Sequence, residues 1–529
     1  MPTDCISYQN SGYFSPLMND YLDEKSNLKS LYNRFPKIEN FEKQIAEKQA
    51  NFNNATRPQL VATLLEQYQG VPTSYLTLQN IESLKVENTF TIITGHQLNL
   101  FSGPLYFLYK IISTINLTKE LKATYPASNF VPIYWMATED HDFEEINYFN
   151  FKGKKFRWNK ESTGPVGRLS TDGLSEFFNL YQQELGSSTN AATLKKMFEE
   201  AYLNHDKLAD ATRYLANALF GAFGLVIIDA DNANLKQNFV PYIKEELLHQ
   251  RSFKAVMETT TQLEQYNIQV NPREINLFYI EDDLRERIIF ENNNYKVNHT
   301  NLDFSEAEIM TLVETNPEKF SPNVIMRPLY QEVILPNLCY IGGGGEIAYW
   351  LELKSFFDTV EVTFPMLLVR NSVLLATEKQ IKKVDKLNLS WSDLFSKQET
   401  LKNKVTQEHS AFPIDLTNYK LQLQQQFADL FTLAAQTDKS FTGAVKAQEK
   451  KQIKGLENLE KRLLKAQKRK FSEEIERATD LQNELFPNKS LQERQANFSE
   501  FYLESGSDLI PKLIATLKPL DQTFEIITI

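Results

Sequence analysis

The chain is 529 residues long, 42% hydrophobic and 24% charged, with a formal net charge of −11. That composition belongs to a globular protein of several domains with a sizeable core, and the acidic balance argues against a general nucleic-acid binder. No run approaches the ~20 apolar residues of a membrane span. The two cysteines, Cys5 and Cys339, support neither a disulfide framework nor a Cys-rich zinc site. Without a basic segment followed by an apolar core at the N-terminus, the expected location is cytoplasmic.

Residues 1–90 read as helical, with Leu60, Leu64 and Leu65 at helical spacing and Gly70-Val71-Pro72 closing that stretch. Residues 92–147 then alternate strand, polar turn, helix, strand and polar turn. An apolar run ends in the turn Thr94-Gly95-His96-Gln97. Ser102-Gly103-Pro104 leads into a helix through Tyr106, Ile111, Ile112 and Ile115, and a strand from Val131 to Met136 ends at Thr138-Glu139-Asp140-His141-Asp142. This is the pattern of a βαβ unit. Ligands of open α/β sheets bind outside the carboxyl ends of the strands, so the meeting place of Gly95–Asn99 and Glu139–Asn147 is the predicted site.

Residues 1–149 thus give N-terminal helices and the first half of a parallel-sheet core. From Phe149 the texture changes to alternating aromatic and basic residues with two Gly turns, a small β excursion. Helices follow over 173–220, with Leu208, Ala211, Leu215, Ala218 and Leu219 on one face. The sheet pattern resumes at Gly224–Asp231, so 150–220 is an insertion and 221–377 the second half of the core. Within that half, 269–301 is strand-like with an Asn-rich turn, and a strand at Val333–Leu335 precedes the glycines 342–345 and a helix. Residues 378–529 read as an antiparallel coiled-coil hairpin and a tail. Leu416, Leu423, Phe427, Leu430 and Ala434 form one seam. Asp438 caps the second helix, which carries Leu456, Leu459, Leu463 and Ala466, and Pro487 ends the hairpin. The tail is expected to pack back on the body, and the basic stretch Lys446–Lys470 is a solvated face.

Four groups of residues can carry chemistry. His96 and Gln97, with Thr94, Gly95, Asn99 and Gly103 around them, can donate hydrogen bonds to charge developing on a phosphoryl group. Lys110 lies too far along the helix and reads as structural. Glu139, Asp140, His141 and Asp142, followed by Glu144, Glu145 and Asn147, can bind Mg²⁺, position an amine or act as a general base. His141 and Glu145 share a helix face if a helix starts there. Arg327, with Tyr330 in the same stretch, can pair with a carboxylate or phosphate, and a structural ion pair is the competing reading. Gly342, Gly343, Gly344 and Gly345, with Glu346 opening the next helix, let backbone N–H groups approach an anion. No dedicated metal site is indicated.

The segments TGHQLNLFSGPLYFLYKIISTI, VPIYWMATEDHDFEEIN, FSPNVIMRPLYQEVILPNLCYIGGGGEIAYW and FPMLLVRNS, in this order, resemble the bacillithiol biosynthesis cysteine-adding enzyme family. The resemblance covers about 91–375 and returns at 485–502. It implies an α/β fold: a Rossmann-like parallel sheet with inserted connecting-peptide subdomains and a C-terminal antiparallel α-helical coiled coil that forms a homodimer. It also implies the last step of bacillithiol synthesis, joining cysteine to the amine of glucosaminyl-malate after ATP, with Mg²⁺, activates the cysteine carboxylate. Gly95–Gln97 would stand at the phosphates, and Glu139–Asp142, Arg327 and Gly342–Gly345 would line the same cleft. No zinc site for the thiol is evident. The residues alone leave two other readings: a ligase or nucleotidyl transferase for another small molecule, and a nucleotide-binding coiled-coil scaffold.

Overall fold

The computed structural model describes residues 4–529 and divides into two compact units. One comprises the chain up to Leu375 together with Ser490–Ile529, and the other is Ala376–Lys489.

The first unit is built on five parallel strands: β1 (Thr89–His96), β2 (Asn129–Met136), β3 (Val226–Asp229), β4 (Asn337–Gly342) and β5 (Met366–Val369). Their spatial order is β5-β4-β1-β2-β3. Every residue of β1 is buried, as expected of a parallel strand covered on both faces. Phe90, Ile92, Leu338, Ile341, Met366 and Leu368 form one core cluster with Leu117 and Leu121 of helix α1 (Tyr106–Thr124). The chain grows outward from β1 through β2 to β3, then returns to the other side of β1 with β4. Strand order therefore reverses between β1 and β4, the switch point at which such sheets open a crevice for ligands.

The expected turn Thr94-Gly95-His96 is the end of β1 itself, and the true turn follows it. There Phe101 and Ser102 have positive φ (49° and 66°), as does Gly103 (61°). A Cβ on Gly103 would stand 2.6 Å from the Asn99 Cβ, so this position requires glycine. Asn497, from the C-terminal tail, donates to the Phe101 and Gly103 carbonyls (2.9 and 2.7 Å) and closes the turn.

The stretch Val333–Leu335 is not a strand. Met326–Ile334 is helix α2, and β4 begins at Asn337 with only Leu335 and Pro336 between them. Val333 and Ile334 look strand-forming, yet Met326, Leu329, Tyr330 and Ile334 are buried at helical spacing and Pro336 stops the helix. The four glycines are not a free loop either. Gly342 ends β4, Gly343 is the N-cap, and Gly344 and Gly345 open helix α3 (Gly344–Leu351).

Between β2 and β3 the chain makes the hairpin Tyr148–Phe151/Lys154–Arg157 and the helices Leu174–Leu185, Thr189–Phe198 and Leu208–Phe220. Ala218 faces solvent, away from the buried side of the last helix. A five-stranded antiparallel sheet follows β3. It extends beyond residue 301, because Asp303–Phe304 and Phe320–Pro322 add to the strands at Leu277–Glu281, Leu284–Glu291 and Asn294–Val297. Asn292 and Asn293, with φ of 56° and 63°, make its tight hairpin turn. In the tail, Thr523–Thr528 lies between Asp4–Ser7 and Ser372–Ala376 in a three-stranded sheet.

In the second unit, helices α4 (Thr417–Ala434) and α5 (Lys439–Lys470) form the expected hairpin, and the Asp438 side chain caps α5 by accepting from the Phe441 N–H. Its packed seam is Phe427, Ala434 and Val445 with Leu423 and Phe431. Leu430 and Leu459, expected in the seam, are 41% and 53% exposed. Phe431, one position on, takes the inward place. Among the described residues no helix is long and apolar enough to cross a membrane.

Candidate active-site cleft

The strand ends of the core sheet and the inserted antiparallel sheet enclose a cleft of about 990 Å³. One corner is acidic. The Gln97 amide, just past β1, donates from Nε2 to Asp140 Oδ2 (2.9 Å) and to Glu145 Oε2 (3.0 Å). Two carboxylates that would otherwise repel each other thus share one donor. Asp140 Oδ1 also accepts from the His141 N–H (2.7 Å). Asn99 donates to the Glu145 carbonyl at 3.2 Å, which fixes the segment carrying that side chain.

Glu139 and His141 are held differently from expectation. Glu139 is 9% exposed and ion-paired with Lys236, which also contacts Asp231 (3.3 Å); Asp231 in turn pairs with Arg168 (2.7 Å). Burial raises the Glu139 pKa against the pull of Lys236. His141 precedes a helix of only four residues, Phe143–Ile146, and so shares no helix face with Glu145. Its Nδ1 faces Arg285 Nη1 at 2.6 Å. A guanidinium only donates, so Nδ1 is the acceptor in this contact.

Much of the remaining lining is basic. Lys110 Nζ donates to the Gly95 carbonyl (2.7 Å) and pairs with Glu346 Oε2 (2.6 Å). Its ammonium lies in the cleft lining, one step nearer the chemistry than its helix position suggested. Burial raises the Glu346 pKa, but Lys110, the Gly343 N–H and the Tyr340 hydroxyl outweigh it and leave the carboxyl below its ordinary value. Arg273, Arg285, Arg287, Arg327 and Arg494 also line the cleft. Among the described residues none of these five has a carboxylate within ion-pair distance. In a chain of net charge −11, five guanidiniums around one cavity without carboxylates at ion-pair distance among the described residues can attract anions there. Arg370, also in the lining, is buried against Glu493.

His96 ends β1 at the floor of the cleft, 7% exposed, its ring 5.4 Å from Tyr106 and 5.1 Å from Phe107. Nε2 has no hydrogen-bond partner among the described residues. Burial, reinforced by Lys110 and Arg370, holds its pKa well below 6.5. The imidazole is therefore neutral at pH 7, which makes it a hydrogen-bonding group rather than a cation. A stability test follows from the sign. In the unfolded chain His96 gains a proton near its ordinary pKa of 6.5, whereas the folded chain resists it. Stability should fall as pH drops below that value, by up to ~1.4 kcal/mol per pH unit. Urea unfolding of the wild type between pH 7 and pH 5 should show a steeper loss than that of His96→Gln.

Of the residues expected at the site, Gly95, His96, Gln97, Glu139, Asp140, His141, Asp142, Glu145, Arg327, Gly343, Gly345 and Glu346 line the cleft. The others do not. Thr94 is buried and donates to the Ile341 carbonyl (2.8 Å), tying β1 to β4. Asn99 and Gly103 shape the turn behind it, and Asn147 is buried, its carbonyl accepting from the Trp158 N–H (2.7 Å). Tyr330 is fully buried with its hydroxyl on the Ala230 carbonyl (2.9 Å). Gly342 has its Cα in β4, where a Cβ would stand 2.9 Å from Glu346 and Tyr340 side-chain atoms, and Gly344 faces Phe14 and Met18. Sequence reasoning did not find Tyr106, Trp135, Arg273, Arg285, Arg287, Arg370 and Arg494. Only Arg285 and Arg287 carried a signal, since alternate residues of a strand share a face. Among the described residues no group of three His, Cys, Asp or Glu side chains is placed to hold a metal ion. Cys339 is fully buried, and burial pushes its thiol pKa well up, so it is a core residue.

A parallel sheet in this order, with polar strand ends converging on a cleft at the reversal, defines a Rossmann-like ligand-binding protein carrying a coiled-coil appendage. Two family models match the chain: "Bacillithiol biosynthesis BshC, N-terminal Rossmann-like domain" over residues 1–371, and "Bacillithiol biosynthesis BshC, C-terminal coiled-coil domain" over 373–529. The chain belongs to the BshC family of bacillithiol biosynthesis. It is 73% identical to a protein of Flavobacterium johnsoniae over the full length of both. It is 64% identical to one of Flavobacterium psychrophilum and 56% identical to one of Christiangramia forsetii, covering all of this chain and 99% of each relative. Each of the three carries the name "Putative cysteine ligase BshC".

Proposed function

We propose that this protein is a cytoplasmic ligase that joins L-cysteine to the glucosamine amine of glucosaminyl-malate, the last step of bacillithiol biosynthesis, using ATP. The observation that carries the reading is the pairing, in one cleft, of five arginines lacking carboxylate partners among the described residues with the Gln97-Asp140-Glu145 corner. Anionic groups, the phosphates of ATP and the carboxylates of the malate moiety, suit the first. An amino-sugar ammonium suits the second.

The residues fit a nucleotide at the switch point. Lys110 and Arg327 stand beside the β1 end, and the N-terminus of α3 meets the cleft at Gly343 and Gly345. His96 offers a buried ring nitrogen that no group among the described residues satisfies. ATP, bound with Mg²⁺ as its counter-ion, would supply the activation that turns the cysteine carboxylate into an acyl donor. The rest falls to the chain. Asp140 and Glu145 would hold the amine as its ammonium, and Asp140 would take a proton so that the lone pair can attack. The arginines would hold the anionic ends and offset charge on the oxygens during transfer.

The test is a mass-spectrometric product assay on the purified chain with cysteine, glucosaminyl-malate, ATP and Mg²⁺, against a control lacking ATP. An ATP-dependent product with the mass of bacillithiol supports the reading; cysteine addition without ATP removes the nucleotide from it. We also propose that two copies pair through the α4–α5 hairpin, since Leu430, Leu433, Phe441 and Leu459 are all more than 40% exposed there. Leu433→Glu should shift the dimer to monomer in sedimentation equilibrium, and an unchanged mass would remove that face from the interface.

A further inference from the structure

Arg327 sits in the cleft lining with no carboxylate partner among the described residues, so something else must aim it. Its Nη1 donates to Gln331 Oε1, one helical turn along α2, at 3.0 Å. The other end of that amide, Nε2, donates to Glu332 Oε1 at 3.0 Å. Glu332 also accepts from Asn337 Nδ2 (2.6 Å) and from Lys48 Nζ (2.8 Å), and Lys48 reaches the Thr363 carbonyl as well (3.2 Å). Gln331, Glu332 and Lys48 are 0%, 1% and 1% exposed. A hydrogen-bonded chain thus runs from the helix Phe41–Asn51, through the interior, to a cation at the ligand-binding edge.

The order of groups fixes a direction. An amide has one donating and one accepting end, and a carboxylate only accepts. Gln331 must therefore turn its NH₂ to Glu332 and its carbonyl to Arg327. Burial raises the Glu332 pKa, while Lys48 and the Asn337 and Gln331 amides oppose the rise and favour the charged acceptor. Around the guanidinium, the Trp135 and Tyr340 rings each lie 5.8 Å from Cζ, and the Tyr349 hydroxyl is 3.3 Å from Nη2. A Cβ at Gly95 would approach Nη1 to 3.8 Å, which shows how closely β1 passes. An apolar residue would fill the Gln331 site without the cost of burying an amide. The amide's two ends are spent on joining a buried ion pair to Arg327.

We propose that Lys48, Glu332 and Gln331 form a positioning relay that orients Arg327 toward a phosphate-bearing ligand at the β1 and β4 ends. Gln331 acts through Arg327 and touches no ligand. This rests on reading the cleft as a phosphate site, and the experiment separates the two ideas. Gln331→Leu cuts the relay but leaves Glu332 its Lys48 and Asn337 partners, so the fold is kept. Gln331→Met serves the same purpose if leucine is not accommodated.

The measurement is a double-mutant cycle on the full chain, titrating inorganic pyrophosphate by calorimetry into wild type, Gln331→Leu, Arg327→Ala and the double variant. Loss of one hydrogen bond to a charged group predicts about tenfold weaker binding for Gln331→Leu. The double variant should bind no more weakly than Arg327→Ala alone, because the relay has nothing left to aim. Additive losses, unchanged affinity in Gln331→Leu, or no pyrophosphate binding by the wild type would overturn the relay. Additive losses in a chain that makes the cysteine-ligated product would overturn the relay alone. Full coupling in a chain that makes no such product would overturn the proposed function and leave the relay standing.

Discussion

Asp140→Asn is expected to lower turnover by ~10²–10⁴-fold, the range that a positioned general base supplies. The substitution keeps the shape of the corner. The asparagine carbonyl can still accept from the Gln97 Nε2 that now lies 2.9 Å from Oδ2 or from the His141 N–H that lies 2.7 Å from Oδ1. What it removes is the charge and the ability to take a proton. The loss should therefore fall on kcat more than on the KM for ATP, since the ATP phosphates are assigned to the arginines. With its side chain 27% exposed, Asp140 contributes little to the core, and the thermal midpoint should move by no more than a few degrees. Steady-state kinetics with each substrate varied in turn, alongside thermal unfolding, decides the matter. Full activity in the variant would take Asp140 out of the machinery. The companion change Gln97→Ala strips the donor shared by Asp140 and Glu145, and it should depress turnover in the same assay without unfolding the chain.

The acidic corner was legible in the sequence because its parts sit at the ends of two consecutive strands of one βαβ unit. Strand periodicity placed β1 and β2 side by side, and the topology rule pointed at their carboxyl ends. Gln97 and Asp140 are 43 residues apart, yet the unit brings them together with only one helix between. The basic lining was not legible in the same way. Arg285 and Arg287 arrive from an inserted antiparallel sheet, and Arg494 comes from a tail that returns after the whole coiled-coil unit. No local pattern states where such segments dock. Within elements, the errors have a common physical source. Tyr330 and Thr94 are polar residues beside functional ones, and their hydroxyls are spent on the Ala230 and Ile341 carbonyls. The Val333–Leu335 stretch has strand-like side chains on a buried helix, where tertiary burial overrides propensity. The hairpin seam shifted by one residue at Leu430 and Phe431, because both are apolar and heptad spacing alone does not choose between them.

Glu493→Ala is expected to destabilise the chain by ~3–5 kcal/mol, the cost of leaving a buried charge without its partner. Glu493 is the tail's anchor in the core. It accepts from Arg370 Nη1 and Nη2 (3.0 and 2.6 Å), and from the Val373 N–H (3.1 Å), with side chains 4% and 1% exposed for Arg370 and Glu493. Alanine would strand a guanidinium and a backbone donor together. Against a typical domain stability of ~5–15 kcal/mol, that is a large fraction. The effect should also reach the cleft, since Arg370 lies 5.1 Å over the Tyr106 ring and both line the cavity. Urea unfolding of the full chain measures the first effect, and the product assay the second. Stability and function can then be pulled apart. The double replacement Arg370→Met with Glu493→Leu removes both charges, and buried pairs exchanged for apolar side chains of similar size are commonly neutral or stabilising. Its unfolding midpoint should return most of the way to the wild type, while ligation stays depressed because the cleft has lost a cation. Recovery of both would make Arg370 a purely structural residue, and recovery of neither would place the main contribution of Glu493 in its bond to the Val373 backbone.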